Sequence, residues 1–217
     1  MSEASPEVWP VYKGASFNLW EPDTGVYYDS VDGEDIAAYL HGKRRSQSRT
    51  SSSAFSELSE TVLDDPCSLP CRRARIAFRD VTRATDTRTL ISALVPPDRV
   101  IVNQAPYLLQ TAGSIRDEAY VLGVLCSMPC DWQARRTVEL HMTFEQLNLL
   151  SIPDPGAGHP VRDRVTDLAA CLAARDKRFS SWAAEVGVAV GTAVDDIAAR
   201  GGVSLSCCQV FLGGLGQ

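Results

Sequence analysis

The sequence predicts an α+β fold, a mixed or antiparallel sheet with a helical carboxy-terminal appendage, and three observations carry that expectation. Short apolar and aromatic runs separated by turn residues occupy the first half of the chain, the pattern of strands in a half-buried sheet. Apolar positions at helical spacing follow a proline-rich break at residues 153–160. The length of 217 residues, with 45% hydrophobic and 22% charged residues, suits one large or two small globular domains. The expected division is a domain over 8–153, a helical appendage over 161–200, and a tail over 201–217 whose glycine-rich, uncharged composition assigns it no structure.

Trp9-Pro-Val-Tyr12 and the aromatic positions up to Tyr28, interrupted by Pro22-Asp-Thr-Gly25, read as two short strands joined by a turn. Asp32-Gly-Glu-Asp-Ile36-Ala-Ala-Tyr39-Leu40-His-Gly42 has an acidic start, helical apolar spacing and a closing glycine, which predicts a short helix. Residues 43–59 are serine-rich, basic and nearly free of aliphatic side chains, so a mobile loop is expected there. Ile76, Phe78 and Val81, a turn at Thr85-Asp-Thr87 and then Leu90-Ile-Ser-Ala-Leu-Val95 predict a hairpin. Val100-Ile-Val102 is a third strand candidate. Asp117 opens an apolar helical stretch expected to continue to Arg136. Thr143-Phe-Glu-Gln146 has capping-box spacing and starts a short helix stopped by Pro153. Val165, Leu168, Ala169 and Leu172 share one face of a helix over 161–178, and a second apolar segment follows from Phe179.

A net charge of −6 argues against indiscriminate coating of nucleic acid, yet the basic residues are unevenly placed. There are three lysines and 18 arginines. Lys43, Arg44, Arg45 and Arg49 lie in a stretch without acids, and six arginines between 67 and 88 face only Asp80 and Asp86. Arginine forks onto phosphates and guanine edges, so the distribution keeps DNA binding open. A genome that favours arginine over lysine would produce the same count. No apolar run is long enough to span a bilayer, and the amino terminus carries acids and prolines where a secretory signal needs a basic start. A cytoplasmic location without membrane attachment is expected.

Catalytic motifs are missing. None of the three lysines follows an acid by two positions, as metal-dependent nucleases of the acid-x-lysine type require. No Gly-x-Gly-x-x-Gly turn or phosphate loop occurs, and His41, His141 and His159 are far apart. Cys67 with Cys71, and Cys126 with Cys130, could offer four thiolates to zinc. The second pair sits in an apolar helical stretch where cysteine packs as a small core residue, so no metal site is expected. No catalytic residue is assigned.

Several phrases in order resemble a known family: Arg75-Ile-Ala-Phe-Arg79-Asp80-Val-Thr82, Ala105-Pro-Tyr107-Leu108, Leu122-Gly-Val-Leu-Cys-Ser127, Asp131-Trp132-Gln133-Ala134-Arg135-Arg136, and Leu147-Asn-Leu-Leu-Ser-Ile152-Pro153. Together with Tyr12-Lys13-Gly14-Ala-Ser-Phe17 and residues 163–188, they resemble the carboxy-terminal target-recognition domain of TaqI-type and type IIG restriction–modification N6-adenine DNA methyltransferases. The resemblance implies a domain that binds double-stranded DNA for a methyltransferase catalytic lobe, in cis or in trans, within restriction–modification or phage defence. The family's Asn-Pro-Pro-aromatic motif and its glycine-rich turn for S-adenosylmethionine are absent from this sequence. No cofactor is therefore expected in this chain, S-adenosylmethionine belonging to the missing lobe. The chain is expected to be a separate specificity polypeptide, or a fragment or disrupted frame of a larger enzyme.

A recognition domain reads bases in the major groove and holds phosphates on either side. Lys43, Arg44, Arg45 and Arg49 in the expected loop, and Arg72, Arg73, Arg83 and Arg88 flanking the hairpin, are the candidate DNA contacts. Asn103 and Gln104 are amides suited to adenine, although either could cap a turn. Arg79 and Arg135 are expected to pair internally, and Trp132 and Tyr107 to lie in the core. The rival reading is an interaction module that docks a methyltransferase or another defence protein without reading DNA, which the acidic total charge favours.

Overall fold

The computed structural model describes residues 7–202 and shows an α+β fold. Strand β1 (Val8–Tyr12) lies between β2 (Asp29–Asp32), to which it is antiparallel, and β5 (Val100–Ile101), to which it is parallel. Strands β3 (Arg75–Phe78) and β4 (Ser92–Val95) form the expected hairpin, with Arg75 opposite Val95 and Phe78 opposite Ser92. Residues 104–108 run along the free edge of β3: Phe78 N–H donates to Pro106 O at 2.9 Å and Leu108 N–H to Ile76 O at 2.8 Å.

Every residue of β3 and β4 is buried, because this extended layer has a neighbour on each face. The two-residue periodicity of a strand sorts the side chains. Ile76, Phe78 and Leu94 join the helical core, whereas Ala77, Ala93 and Val95 meet Tyr12 and Phe17 on the other face. Beyond β1, Trp9 packs with Ala37, Leu69 and Cys71 under helix α1 (Gly33–Gln47). Gly33 permits that approach, since a Cβ there would stand 2.5 Å from the Trp9 indole nitrogen.

The helical face contains α3 (Ile115–Leu125), α4 (Met128–Ala134), α5 (Phe144–Asn148), α6 (Pro160–Ala173), α7 (Ser180–Val186) and α8 (Val194–Gly201). Helices α3 and α6 cross closely at Gly123, where an added Cβ would meet Val165 Cγ1 at 2.9 Å and Ala169 Cβ at 3.0 Å. Phe179, Trp182 and Val186 share one apolar cluster with Phe78 and Leu90, so the helices after residue 160 pack into the core of the hairpin. The expected tail over 201–217 lies outside the described residues from 203 onward.

Several expectations require correction. The basic stretch at 43–47 is the last part of α1, not a loop: Asp32 caps the helix by accepting the Asp35 N–H, and Gly42 is carried within it. Arg44 and Arg45 occupy the final turn, where cations meet the negative end of the helix dipole. A short α2 (Glu60–Asp64), capped by Ser59, follows within the serine-rich region. The helix expected over 117–136 is two helices, because Ser127 caps α4 and Pro129 has no N–H to continue α3. The helix expected to reach Arg178 ends at Ala173. The second strand begins at Asp29, just beyond Val26, Tyr27 and Tyr28.

Candidate nucleic-acid interface

The ten candidate side chains separate into those used inside the fold and those exposed to solvent. Arg44 is 2% exposed and turned inward. Its guanidinium donates to Leu63 O and Asp65 O, both at 3.0 Å, and to Ser68 Oγ at 2.9 Å, tying α1 to the segment after α2. Arg45 pairs with Glu60 at 3.7 Å and with Asp64. Arg72 pairs with Glu34 at 2.8 Å and lies over the Trp9 ring at 4.5 Å. Arg88 donates to Cys126 O at 2.8 Å, satisfying a carbonyl at the end of α3. Arg44 and Arg88 are thus not exposed loop cations but internal clamps, Arg44 on two carbonyls and a hydroxyl and Arg88 on Cys126 O, Met128 Sδ and the Asp131 carboxylate.

Arg88 belongs to a larger arrangement around Asp131, which is 1% exposed. One Asp131 oxygen accepts the backbone N–H groups of Thr89 and Leu90, both at 2.8 Å; the other accepts Arg135 Nε at 2.8 Å. Arg135 also donates to Ala84 O at 2.8 Å and Thr87 O at 2.6 Å. Burial alone would raise the Asp131 pKa, but the Leu90 N–H, Arg135, Arg88 and the Thr89 N–H hold it below the ordinary carboxylate value. These contacts fix the long connection between β3 and β4. Arg79 is internal as expected, although its partner is Phe17 O at 2.6 Å; Asp80 faces His141 Nδ1 at 3.2 Å instead.

Lys43, Arg49, Arg73, Arg83, Asn103 and Gln104 are exposed. Apart from Arg49, they lie toward the two ends of β3. Because residue 104 lies opposite 80 and residue 108 opposite 76, Asn103 and Gln104 sit where β3 ends, and the chain runs on from Asp80 to Arg83, which is held by Asp86 and Thr89. Lys13 joins them there, since its neighbour Gly14 abuts Gln104 O, with an added Cβ only 3.2 Å away. Lys13 is an isolated charge between Tyr12 and Gly14 and carries no pattern in the sequence that marks it. Glu21 and Asp86 act on Arg79 at the same end, so this surface is of mixed charge. Arg73 and Lys43 lie beyond the start of β3, beside two cavities. The first basic segment therefore meets Arg72 and Arg73 at one end, while the second segment is divided, with Arg83 at the other end of β3.

Tyr107 is half-buried against Tyr12 and Ala77, as expected, whereas Trp132 is 60% exposed on α4 with Arg136 above its ring at 5.0 Å. Cys126 and Cys130 are buried, and burial raises the Cys130 thiol to about 11. Among the described residues no group of three or more His, Cys, Asp or Glu side chains is placed to hold a metal ion. Among the same residues no helix is long and apolar enough to cross a membrane. Comparison with protein-family profiles, with curated proteins and with solved structures finds no match for this chain.

Proposed function

We propose that this chain is a DNA sequence-recognition domain of an N6-adenine methyltransferase system of the restriction–modification or phage-defence kind, supplying duplex binding to a catalytic lobe that holds S-adenosylmethionine. The observation that carries this reading is the placement of Asn103, Gln104 and Lys13 at the end of β3 from which the chain continues to the exposed Arg83. A guanidinium can take guanine O6 and N7 together, and a carboxamide can take adenine N6 and N7. These groups sit on loops braced by buried structure, Arg83 by the Asp131 arrangement and Gln104 by its carbonyl bond to Asp80 N–H at 3.2 Å. A reading edge needs that combination of exposed donors and a rigid support.

The nearby acids limit the phosphate-binding role of this surface, so specificity rather than bulk affinity is its expected contribution. Fluorescence anisotropy with duplex DNA over a salt series tests this. Arg83→Gln lowers the salt slope by about 1 if the arginine meets a phosphate, or costs on the order of 1–3 kcal/mol at one base pair if it reads a base. Unchanged affinity, slope and base preference in Arg83→Gln and in Gln104→Ala together refute the proposal.

A second reading, docking to a protein partner without reading DNA, is favoured by Met128 and Trp132, which stand exposed one turn apart on α4. Exposed apolar side chains near one another are common in protein interfaces.

A further inference from the structure

The opposite end of the extended layer contains two cavities, of about 570 and 200 Å3, and both are lined by Arg44, Arg75 and Phe55. Arg75 is 5% exposed, and neither it nor Arg44 forms an ion pair among the described residues. Arg75 donates to Pro70 O at 2.9 Å and Arg99 O at 2.8 Å, and its guanidinium stacks on Tyr107 at 5.0 Å. The Nε–H of each arginine is buried without a partner. Two desolvated cations held only by neutral oxygens leave positive charge uncompensated, which folded chains ordinarily avoid.

The surroundings do not supply the missing charge. Burial lowers the Arg44 pKa, and Asp65, acting on it through space, does not make up the loss. Among the described residues Tyr107 and Cys71 are the potential anions that act on Arg75, and burial raises the pKa of both, keeping them neutral. The larger cavity is also lined by Glu118, whose carboxyl burial raises and which accepts the Trp182 indole N–H at 2.8 Å, and by Glu185. Arg73 lines that cavity too, and Lys43 lines the smaller one. Arg72 and Arg178, also on the wall of the larger cavity, are neutralised by Glu34 and by Asp23 with Asp176.

We propose that these adjoining cavities bind a phosphate group, with Arg44 and Arg75 as its buried counter-charge, Lys43 and Arg73 at the rim, and Phe55 beneath the organic body that bears it. Guanidinium groups suit phosphate because their N–H donors match its oxygens in direction as well as charge. This site lies at the other end of the extended layer from Arg83 and Gln104, so it stands or falls separately from the DNA-reading proposal. The phosphate belongs either to a small phosphomonoester or to a nucleic-acid strand.

Isothermal titration of the full chain at constant ionic strength, with inorganic phosphate, a nucleoside 5′-monophosphate and the same nucleoside without phosphate, tests the site. Saturable binding is expected for inorganic phosphate and the monophosphate, with at least a tenfold loss for the bare nucleoside. The double variant Lys43→Gln/Arg73→Gln, whose substitutions are at exposed positions, should retain the parent's Tm and weaken the monophosphate about tenfold or more. Arg75→Gln should abolish binding wherever it folds, and the rim variant decides the matter if it does not. Displacement of bound duplex by inorganic phosphate assigns the site to a DNA phosphate; undisturbed duplex assigns it to a small ligand. Absence of saturable binding by both anions, or a rim variant that binds as the parent does, overturns the proposal.

Discussion

Replacing Asp131 with alanine should be among the most damaging single changes in this protein. The side chain is 1% exposed and accepts hydrogen bonds from Thr89 N, Leu90 N and Arg135 Nε, each at 2.8 Å, with Arg88 Nε 3.6 Å away. Truncation leaves two backbone N–H groups without their acceptor, at about 1–3 kcal/mol each when buried. It also leaves Arg88 and Arg135 without their shared carboxylate; Arg135 is partly solvated and recovers some of the loss. Relaxation of the 82–90 connection offsets part of the total, and a net loss of about 3–5 kcal/mol follows, within the range for breaking a buried pair. Asp131→Asn keeps an oxygen for both N–H groups and loses the ion pairs, so about 1–3 kcal/mol is expected. Urea unfolding followed by circular dichroism measures both: the midpoint should fall with m unchanged. A loss below about 1 kcal/mol for Asp131→Ala would refute the reasoning, because it would mean that neither N–H group depends on the carboxylate.

The same carboxylate sets a pH dependence. Its folded pKa is lowered, so its contribution is present above the unfolded value of about 3.9 and is lost as pH falls through that value toward the folded one; Asp131→Asn should flatten the unfolding midpoint over that acidic window. Glu118 has the opposite sign, being raised chiefly by burial, so its protonation stabilises the fold as pH falls through the raised value, and Glu118→Gln should be neutral or stabilising at pH 7 in a thermal melt. Gly123→Ala should destabilise by about 1–3 kcal/mol despite alanine's better helix propensity, since Val165 and Ala169 must yield to the new methyl group; a raised Tm would show that α3 and α6 can separate freely. Thr143→Ala should cost about 1 kcal/mol by removing the acceptor for Gln146 N–H, a loss measurable by the same urea unfolding.

What could be read from the sequence depended on how local the determining contacts are. The β3–β4 hairpin and the Thr143 cap follow from neighbouring residues, the first from Ile76, Phe78 and Leu94 at alternating positions and the second from two side chains three residues apart. Arg135 with Asp131 is one helical turn, again a local signal. The end of α1 was illegible because residues 43–47 carry no apolar stripe of their own; their helix is closed by Glu60 and Asp64 on α2 and by carbonyls at 63 and 65. Arg44 misled for the same reason, since a guanidinium destined for backbone oxygens leaves no acidic signature nearby. The separation of Arg73 from Arg83 is likewise invisible in sequence, where ten residues look like one basic segment, but a strand places them at opposite ends. Lys13 reached the Arg83 end only through the approach of Gly14 to Gln104.

Selection from a duplex library randomised over the central base pairs, performed with the full chain and repeated with Gln104→Ala, tests the central claim most directly. The parent should enrich a defined sequence, and the variant should lose preference at one base pair by about 1–3 kcal/mol while retaining the rest. No enrichment by the parent, or an identical sequence recovered by the variant and by Arg83→Gln, would contradict it.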